Sequence, residues 1–395
     1  MKIQVLNNIS KAGLDILEEN KFAICGENEE DFSGIILRSK NIFDAKYERS
    51  LFAISRAGAG TNNINVQNCS EKGIVVFNTP GANANAVKEM VICALILGKR
   101  DLVTGNKTLD SIDIDDLNDD EVAVEIESMK KQFVGQEVSE KKLCVLGLGA
   151  IGSLVASQAM SLGMQVQGYD PGLTVDVALG LPSTLIRCNS IEEALKDADY
   201  VSLHIPLNGE TKGIINKKIF NSFKKDCVLV NFSRGGIVLE EDLIDALDKE
   251  QIYKYITDFP TKKLLQRLKS KKDIIIFPHL GASTKESEEN CARMACIQIS
   301  NFLKFGKIEN SVNFPNINSD TVAKHRIFIT NKNHPGIISQ VAETLANEKI
   351  NILEFVNKSR GEFACNIIDS DEKFGDQTIS KLLNINGVTN ARVCY

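Results

Sequence analysis

The stretch that most constrains the fold is residues 143–170, where an apolar run leads into a glycine-rich turn and then an apolar helix. Residues 143–146 have the composition of a buried parallel strand. Gly147, Gly149 and Gly152 follow at the G-x-G-x-x-G spacing. The first glycine permits a tight turn, the second lets a pyrophosphate approach the backbone, and the third lets the helix lie close to the strand. The stretch therefore predicts a dinucleotide-binding turn.

The acid at the end of the next strand selects among dinucleotides. Residues 164–169 are predicted to form a second strand, which ends at Asp170. A carboxylate here accepts a hydrogen bond from a ribose 2′-OH and repels a 2′-phosphate, so the predicted cofactor is NAD and not NADP. Residues at the start of the helix and at the ends of later strands are predicted to complete this site: Ala150, Ile151, Ile205, Pro206, Phe232, Gly281 and Ala282.

Composition excludes several classes of protein. The 395 residues are enough for two or three domains. The net charge of -6 argues against a nucleic-acid or anionic membrane partner, and the sequence shows neither a signal peptide nor an apolar window long enough to span a membrane. The ten cysteines are scattered, without a C-x-x-C pair. We therefore expect a cytoplasmic protein with reduced cysteines, no disulfide framework and no metal site.

Residues 1–80 alternate short apolar strands with helical segments, which predicts a parallel sheet with helices on both faces. The strand ends carry Arg38, Ser39 and Arg56, and Asn83 follows shortly after the last strand. Ligands of open α/β sheets bind outside the carboxyl ends of the strands. These side chains are candidates for holding a phosphate or a carboxylate, and the alternative is that the arginines are solvated loop residues.

The C-terminal part of the chain follows a different pattern. Residues 325–395 read strand, helix, strand, strand, helix, strand, which is typical of a ferredoxin-like unit. The preceding polar run, residues 311–321, has the composition of a linker. The predicted fold class is therefore α/β, with two doubly wound parallel-sheet (Rossmann-like) domains and a C-terminal βαββαβ domain.

With these motifs in view, the chain resembles the D-isomer-specific 2-hydroxyacid dehydrogenases, and most narrowly the phosphoglycerate-oxidising members that carry a C-terminal ACT domain. The resemblance covers nearly the whole chain apart from the acidic residues 108–131. Its motifs are RAGAGTNNINV, NTPGANANAVKE, VLGLGAIG, VNFSRGGIVLEEDL and PHLGAST. It implies a substrate-binding domain of residues 1–98 and 283–310, an NAD-binding domain of residues 99–282, a linker of residues 311–321 and an ACT domain of residues 322–395.

The resemblance also implies roles for individual residues. Arg234 would hold the substrate carboxylate and polarise the C2 oxygen, and His279 would take the hydroxyl proton as hydride leaves C2 for the nicotinamide. Asp258 would meet the nicotinamide amide. The candidate anion-binding residues of the first domain would meet the phosphate and carboxylate of the substrate, which favours them over the solvated alternative.

One position departs from the family pattern. Members read D-V-F-x-x-E-P after the acid at Asp258, and the position of their catalytic glutamate is Lys263 here. A carboxylate beside a histidine raises the imidazole pKa, and a lysine does not. Two interpretations are open. Lys263 assists proton transfer or substrate binding, with a pKa lowered by desolvation, or it is a surface lysine and another acid supports His279.

The activity implied by the resemblance is NAD-dependent oxidation of 3-phospho-D-glycerate to 3-phosphohydroxypyruvate, the first step of L-serine biosynthesis, with reduction of 2-oxoglutarate as a companion reaction. Two alternatives are kept. One is a glyoxylate or hydroxypyruvate reductase, which the C-terminal domain disfavours. The other is a catalytically weakened NAD-sensing binding protein, which the departure at Lys263 keeps open. The expected assembly is a homodimer or a homotetramer.

The C-terminal domain suggests regulation by an amino acid. Gly336 exposes backbone N–H groups at a helix start, which suits a carboxylate. Asn333 and Asn351 match two positions that bind serine in serine-responsive relatives, and Asn331 stands where those relatives carry histidine. The hypothesis is that L-serine is an effector, and the alternative is that the domain only joins subunits.

Overall fold

The computed structural model describes the whole chain apart from residues 114, 116 and 395. Its contacts divide the chain into two compact units. The first unit comprises Met1–Asn83 and Lys285–Tyr395, and the second comprises Ala84–Thr284. None of the helices among the described residues has the length and apolarity needed to cross a bilayer.

The N-terminal part of the first unit is a doubly wound α/β sheet. Its elements are β1 (Lys2–Val5), α1 (Lys11–Glu19), β2 (Ala23–Cys25), β3 (Gly34–Leu37), β4 (Ala53–Arg56), α2 (Val66–Glu71) and β5 (Val75–Phe77). The strands are parallel, in the order β2-β1-β3-β4-β5. Strands β3 and β5 are buried along their whole length, as apolar runs covered on both faces should be. The predicted parallel sheet is confirmed.

The second unit is the larger α/β sheet. Its elements are α3 (Ala84–Lys99), α4 (Leu102–Leu109), α5 (Asp119–Lys130), β6 (Lys142–Leu146), α6 (Ala150–Ser161), β7 (Gln165–Tyr169), α7 (Val175–Gly180), β8 (Ile186–Arg187), α8 (Ile191–Leu195), β9 (Tyr200–Leu203), α9 (Lys217–Phe220), β10 (Val228–Asn231), α10 (Glu240–Asp248), β11 (Lys254–Thr257), α11 (Lys262–Leu268) and β12 (Ile274–Ile276). The parallel strands lie in the order β12-β11-β10-β9-β6-β7-β8. The order reverses between β6 and β9, and the crevice outside their carboxyl ends is where such sheets bind dinucleotides.

Helix α3 packs with the second unit, which therefore begins before the predicted boundary at residue 98. The reason is its apolar face. Val87, Val91 and Leu95 are buried in the same cluster as Val145 of β6 and Val155 of α6. Burial of this face makes α3 part of the second core.

The first unit continues after residue 284. Its elements here are α12 (Lys285–Phe305), β13 (His325–Lys332), α13 (Ile337–Asn347), β14 (Glu354–Arg360), β15 (Phe363–Ser370), α14 (Asp376–Leu383) and β16 (Val388–Val393). The last four strands form an antiparallel sheet in the order β14-β15-β13-β16. This is the predicted ferredoxin-like βαββαβ arrangement. An ACT function for it remains a prediction.

An aromatic cluster joins the N-terminal sheet to the C-terminal sheet within the first unit. Phe302 of α12 lies between Phe77 of β5 and Phe328 of β13, with ring centroids 5.7 and 5.0 Å away. Arg392 of β16 is buried over the Phe302 ring at 4.4 Å and donates hydrogen bonds to the carbonyls of Phe302 and Leu303. The two sheets therefore share one core, and Arg392 donates to carbonyls of the last turn of α12.

The segment predicted as a linker is ordered and partly buried. The Asn313 side chain accepts a hydrogen bond from Val76 N–H at 2.9 Å and donates one to Ile74 O at 2.9 Å, so it satisfies the edge of β5. Phe314 and Ile317 are buried in the shared core. Polar composition suggested a solvated connection, but here the asparagine side chain supplies the backbone of a sheet edge with partners.

Candidate active-site residues

The glycine turn of the second unit has the shape that its spacing predicts. Gly147 has a φ of 93°, and a Cβ at this position would lie 2.5 Å from His204 O. A Cβ at Gly152 would lie 1.9 Å from Gly147 O, so only glycine lets α6 approach the turn. Around the Cβ position of Gly149, in contrast, nothing lies within 4 Å among the described residues. The turn is therefore closely packed at Gly147 and Gly152 and open at Gly149, which precedes Ala150 and Ile151 of α6.

Asp170 is held by the same turn. Its Oδ2 accepts a hydrogen bond from Leu148 N–H at 2.8 Å, and its Oδ1 accepts one from Gly172 N–H at 2.8 Å. The carboxylate therefore lies beside the glycine turn at the end of β7, where it is half-buried. This position suits a hydrogen bond to the ribose of a dinucleotide.

Replacing Asp170 with alanine is expected to relax the preference for NAD over NADP, because the negative charge that repels a 2′-phosphate is removed. The ratio of kcat/KM for the two cofactors measures the effect. Asp170→Asn is the matched control for charge alone. If the unmodified protein uses NADP as well as NAD, the assignment of Asp170 to the ribose is wrong.

Asp258 lies at the end of β11 and has an unused hydrogen-bonding atom. Its side chain is buried, and its Oδ2 accepts a hydrogen bond from Gly281 N–H at 2.8 Å. Its Oδ1 is buried without a hydrogen-bond partner among the described residues. Burial raises the pKa of Asp258, while the Gly281 N–H and the nearby His279 and Arg234 act against the rise. A buried acceptor without a partner is costly unless a ligand supplies a donor, such as an amide.

His279 follows β12 in a strained backbone conformation. Its φ is 50°, which costs a non-glycine residue about 1–2 kcal/mol. Two hydrogen bonds hold it there, from His279 N–H to Asp258 O at 3.1 Å and to Phe277 O at 3.0 Å. The imidazole is exposed and meets the Phe259 ring edge to face, with centroids 5.2 Å apart. This backbone conformation places His279 beside Asp258 at the carboxyl ends of the strands.

Arg234 lies at the carboxyl end of β10, in a loop that is tied to its neighbours. Its carbonyl accepts a hydrogen bond from Asn231 Nδ2 at 2.9 Å, and Ser233 Oγ donates to Ile205 O at 2.6 Å. The guanidinium is exposed and donates to Ser233 O at 2.7 Å. The structure therefore brings Arg234, Asp258 and His279 to the ends of three adjacent strands. The remaining predicted cofactor residues, Ile205, Pro206, Phe232, Gly281 and Ala282, occupy the loops at the same edge.

Lys263 is exposed and paired with a carboxylate, whereas proton transfer would need a desolvated lysine. It lies in the first turn of α11, exposed, where it forms an ion pair with Glu241 of α10. This hydrogen bond raises the pKa of Lys263, so the desolvation that would lower the pKa is not the dominant effect. Of the two interpretations of the departure, the geometry supports the surface lysine.

His204 is a residue at this edge to which the sequence analysis gave no role. It follows β9, and its Nε2 lies 2.8 Å from Ser202 Oγ. Burial lowers the pKa of His204 to about 4, so the imidazole is neutral at pH 7. Since its backbone abuts Gly147, it supports the glycine turn from below. His204 directly follows β9, one of the two strands between which the strand order reverses. A histidine at the end of such a strand is the feature that could have marked it as a site residue.

In the first unit, the structure brings together the two predicted arginines. Arg56 Nε donates a hydrogen bond to Arg38 O at 3.1 Å, across the carboxyl ends of β4 and β3. Arg38 forms an ion pair with Glu288 of α12 at 2.7 Å. Gly58 makes room for the Arg56 guanidinium, because a Cβ there would lie 2.3 Å from Arg56 Nη1. The arginines are thus held in place and are not freely solvated.

The other two predicted substrate residues flank this arrangement. Ser39 is exposed directly after Arg38. The Oδ1 of Asn83 is buried and lacks a hydrogen-bond partner among the described residues, and the same holds for Thr79 Oγ1 in the loop after β5. Unsatisfied buried oxygens at the carboxyl edge of a sheet are consistent with a ligand that has hydroxyl or amide donors.

The three predicted regulatory residues occupy unlike environments. Asn331 is buried in β13, and its Oδ1 accepts a hydrogen bond from Asn366 Nδ2 at 2.8 Å. Asn333 is exposed and donates to Gly361 O at 3.2 Å. Asn351 is exposed before β14, and its N–H is capped by Glu372 at 3.2 Å. Asn331 is therefore engaged inside the sheet, and only Asn333 and Asn351 present side chains to solvent in this group.

Comparison with protein families matches residues 114–281 to the NAD-binding domain of the D-isomer specific 2-hydroxyacid dehydrogenases. The chain is 32% identical to the hydroxypyruvate reductase of Thermotoga maritima, in a match that covers 61% of this chain and 74% of that protein. It is 27% identical to the D-3-phosphoglycerate dehydrogenase of Haemophilus influenzae, over 99% of this chain and 94% of that protein. It spans only 52–61% of the length of other D-3-phosphoglycerate dehydrogenases, to which it is 30–32% identical.

Among solved structures, the chain matches the NAD⁺-bound 3-phosphoglycerate dehydrogenase of Entamoeba histolytica with a TM-score of 0.62 and 28% identity. The match covers 79% of this chain and 98% of that structure. The chain therefore belongs to the D-isomer-specific 2-hydroxyacid dehydrogenase family, and its second unit contains the NAD-binding domain of that family.

The residues present fit NAD. The open start of α6 at Gly149 leaves the backbone accessible to a pyrophosphate, and the Asp170 carboxylate lies beside the turn. The unpartnered Oδ1 of Asp258 can accept a hydrogen bond from the nicotinamide amide. The three features lie along the carboxyl ends of β6, β7 and β11.

Proposed function

We propose that this protein oxidises 3-phospho-D-glycerate to 3-phosphohydroxypyruvate with NAD, the first step of L-serine biosynthesis, with 2-oxoglutarate reduction as a companion reaction. The observation that carries the proposal is the strained His279, held beside Asp258 at the strand ends that also present Arg234. The name of the Haemophilus influenzae relative, which matches nearly the whole chain, supports phosphoglycerate as the substrate.

In this proposal, bound NAD supplies the hydride acceptor. Arg234 binds the substrate carboxylate and polarises the C2 oxygen, which favours the developing carbonyl. His279 accepts the hydroxyl proton through its exposed imidazole as the C2 hydrogen leaves with its electron pair. Asp258 orients the nicotinamide amide through Oδ1, and Gly281 N–H keeps the carboxylate in position. Lys263 lies outside this machinery, in its ion pair with Glu241.

The phosphorylated substrate is the finer part of the proposal. Arg38 and Arg56 supply two guanidinium groups for a phosphate, with Ser39 and Asn83 beside them. Glu288 compensates Arg38 at 2.7 Å until an anion competes for it. A hydroxypyruvate reductase is the second candidate, supported by the Thermotoga maritima relative, and it has no need of a phosphate site.

Substituting Arg56 with alanine is expected to raise KM for 3-phospho-D-glycerate much more than KM for an unphosphorylated 2-hydroxy acid such as D-glycerate. A lost charge-assisted hydrogen bond is worth about 1.5–3 kcal/mol, or roughly 10- to 100-fold. Steady-state kinetics with both substrates measure the difference, and Arg38→Ala should follow the same pattern. Lys40→Ala is the control, because this cation of the same loop is already paired with Glu27 at 2.8 Å. Equal effects on both substrates would remove the phosphate role and favour the reductase.

We also propose that L-serine binds the C-terminal domain as an effector and lowers activity, in a homodimer or homotetramer. Asn333 and Asn351 are the exposed candidates for its contacts. Gly336 is the N-cap of α13, and no described side chain caps this helix, so N–H groups of its first turn are open to a carboxylate. The domain serving only to join subunits is the competing proposal. A cytoplasmic location belongs to the same proposal, and it agrees with ten cysteines that are all free.

Titration of L-serine into the full chain should show saturable binding by calorimetry, together with a fall in activity. Asn351→Ala is expected to weaken binding by about tenfold or less, the scale of one hydrogen bond. Asn347→Ala, at the end of α13, is the matched control. Absence of binding at millimolar serine would leave the domain with a structural role alone.

A further inference from the structure

A cavity of 430 Å³ lies inside the first unit, between the N-terminal sheet and the last strand of the C-terminal domain. One wall is the segment before β4, with Tyr47, Arg49 and Phe52, and Lys72 at the end of α2. The opposite wall includes Val388 and Asn390 of β16. Small-molecule sites in proteins have volumes of about 300–1,000 Å³, so the cavity is large enough for a metabolite.

The walls of the cavity are fixed to each other. Gly73, which follows Lys72, has a φ of 72°, and a Cβ there would lie 2.3 Å from Thr330 Oγ1 and 2.8 Å from Thr389 Oγ1. Phe52 of the near wall also lies beneath the Arg392 guanidinium of β16, at 5.3 Å from the ring centroid. The cavity is therefore preformed by close packing, which lowers the entropic cost of binding a ligand.

The cavity carries cations that the protein itself does not neutralise. Lys72 Nζ donates to Tyr47 O at 3.1 Å and lies 5.9 Å above the Tyr47 ring, so the ammonium is oriented by its own wall. Within the described residues, neither Lys72 nor Arg49 forms an ion pair with a carboxylate. Glu48 also lines the cavity, which leaves one net positive charge among the three side chains.

We propose that this cavity binds a small organic anion, with one carboxylate or phosphate group on an apolar body. The anionic group would meet Arg49 and Lys72, and the body would lie against Phe52 and Val388. The site is separate from Arg38 and Arg56 and from the loop of Asn333. A ligand here touches both sheets of the first unit, so its binding stabilises their packing.

Calorimetric titration of the full chain with four probes tests the proposal: phenyl phosphate, benzoate, inorganic phosphate and benzyl alcohol. The expected result is saturable binding of phenyl phosphate or benzoate, with the tighter one identifying the anionic group. Inorganic phosphate should bind more weakly because it lacks an apolar body, and the neutral benzyl alcohol more weakly because it lacks a charge. The melting temperature should rise with the tighter probe.

Variants locate the site. The double variant Arg49→Gln, Lys72→Gln should weaken binding of the tighter probe at least about tenfold, whereas Lys46→Gln, an exposed lysine outside the cavity, should not. Asn390→Asp adds a negative charge to the opposite wall and should weaken binding independently. No saturable binding of phenyl phosphate or benzoate at millimolar concentration would overturn the proposal. Binding that persists in the double variant, or that is lost in Arg56→Ala, would also overturn it.

Discussion

Replacing His279 with alanine should lower kcat for oxidation of 3-phospho-D-glycerate by about 10²–10⁴-fold, the scale on which general acid–base catalysis contributes. The imidazole lies near Asp258, as Arg234 does, and is the proposed acceptor of the hydroxyl proton. Since His279 holds the proton and not the substrate, KM should change much less than kcat. Steady-state kinetics in the oxidative direction, with NAD saturating, measure both constants.

Two comparisons make this result specific. Arg234→Ala should lower kcat on the same scale and also raise KM, because the guanidinium binds the carboxylate as well as polarising the C2 oxygen. Lys263→Ala should leave kcat near that of the unmodified protein, because its ammonium is engaged with Glu241 on the surface. A loss in Lys263→Ala as large as that in His279→Ala would place Lys263 in the proton machinery. Unchanged kinetics in His279→Ala would contradict the proposed mechanism as a whole.

The second large effect is expected at the glycine turn, where two substitutions by alanine should have different consequences. Gly152→Ala forces a Cβ to within 1.9 Å of Gly147 O, so the turn or α6 must move. Overpacking of this kind costs about 1–3 kcal/mol, and the distorted turn should also lose NAD. Gly149→Ala places its Cβ in open space, so the free energy of unfolding should be nearly unchanged.

Gly149→Ala should instead lower the affinity for NAD. The added methyl occupies the space through which a pyrophosphate reaches the backbone. The Kd for NAD should therefore rise about tenfold or more, where a tenfold rise corresponds to about 1.4 kcal/mol. Denaturant unfolding and NAD titration, carried out on the same preparations, separate the two effects. Gly180→Ala, also open around its Cβ position but at the end of α7, is the control that should change neither quantity. Tight NAD binding by Gly149→Ala would move the pyrophosphate away from this turn.

The features that sequence predicted well are those set by local pattern. The run 143–146, the spacing of Gly147, Gly149 and Gly152, and the strand end at Asp170 depend on neighbours only a few residues away. Buried parallel strands are apolar along their length, and tight turns at their ends need glycine. Both patterns can therefore be recognised in the sequence without knowledge of the tertiary fold. The alternation of strands and helices gave the two parallel sheets for the same reason.

Contacts between distant residues were not predictable in this way. The ion pairs of Arg38 with Glu288 and of Lys263 with Glu241 join helices and loops whose proximity only the fold creates. Asn313 looked like a linker residue because its composition is polar, but its amide satisfies the edge of β5. His204 received no role from the sequence, because its pKa of about 4 follows from burial that only the fold creates. A side chain of one type can serve either as a solvated group or as a buried partner, and composition does not distinguish the two.

The aromatic cluster around Phe302 makes the first unit sensitive to truncation of the chain at its C-terminal end. A stop codon after residue 321 would remove Phe328 and Phe363, which contact Phe302 and Phe314, two rings that are now fully buried. Burial of a phenylalanine side chain is worth about 1.5–3 kcal/mol, so uncovering both costs about 3–6 kcal/mol, against a net stability of about 5–15 kcal/mol for a domain. Recombination that exchanged the C-terminal module for another would succeed only with matching changes in α12 and β5. The module is thus inherited together with the sheet on which it rests.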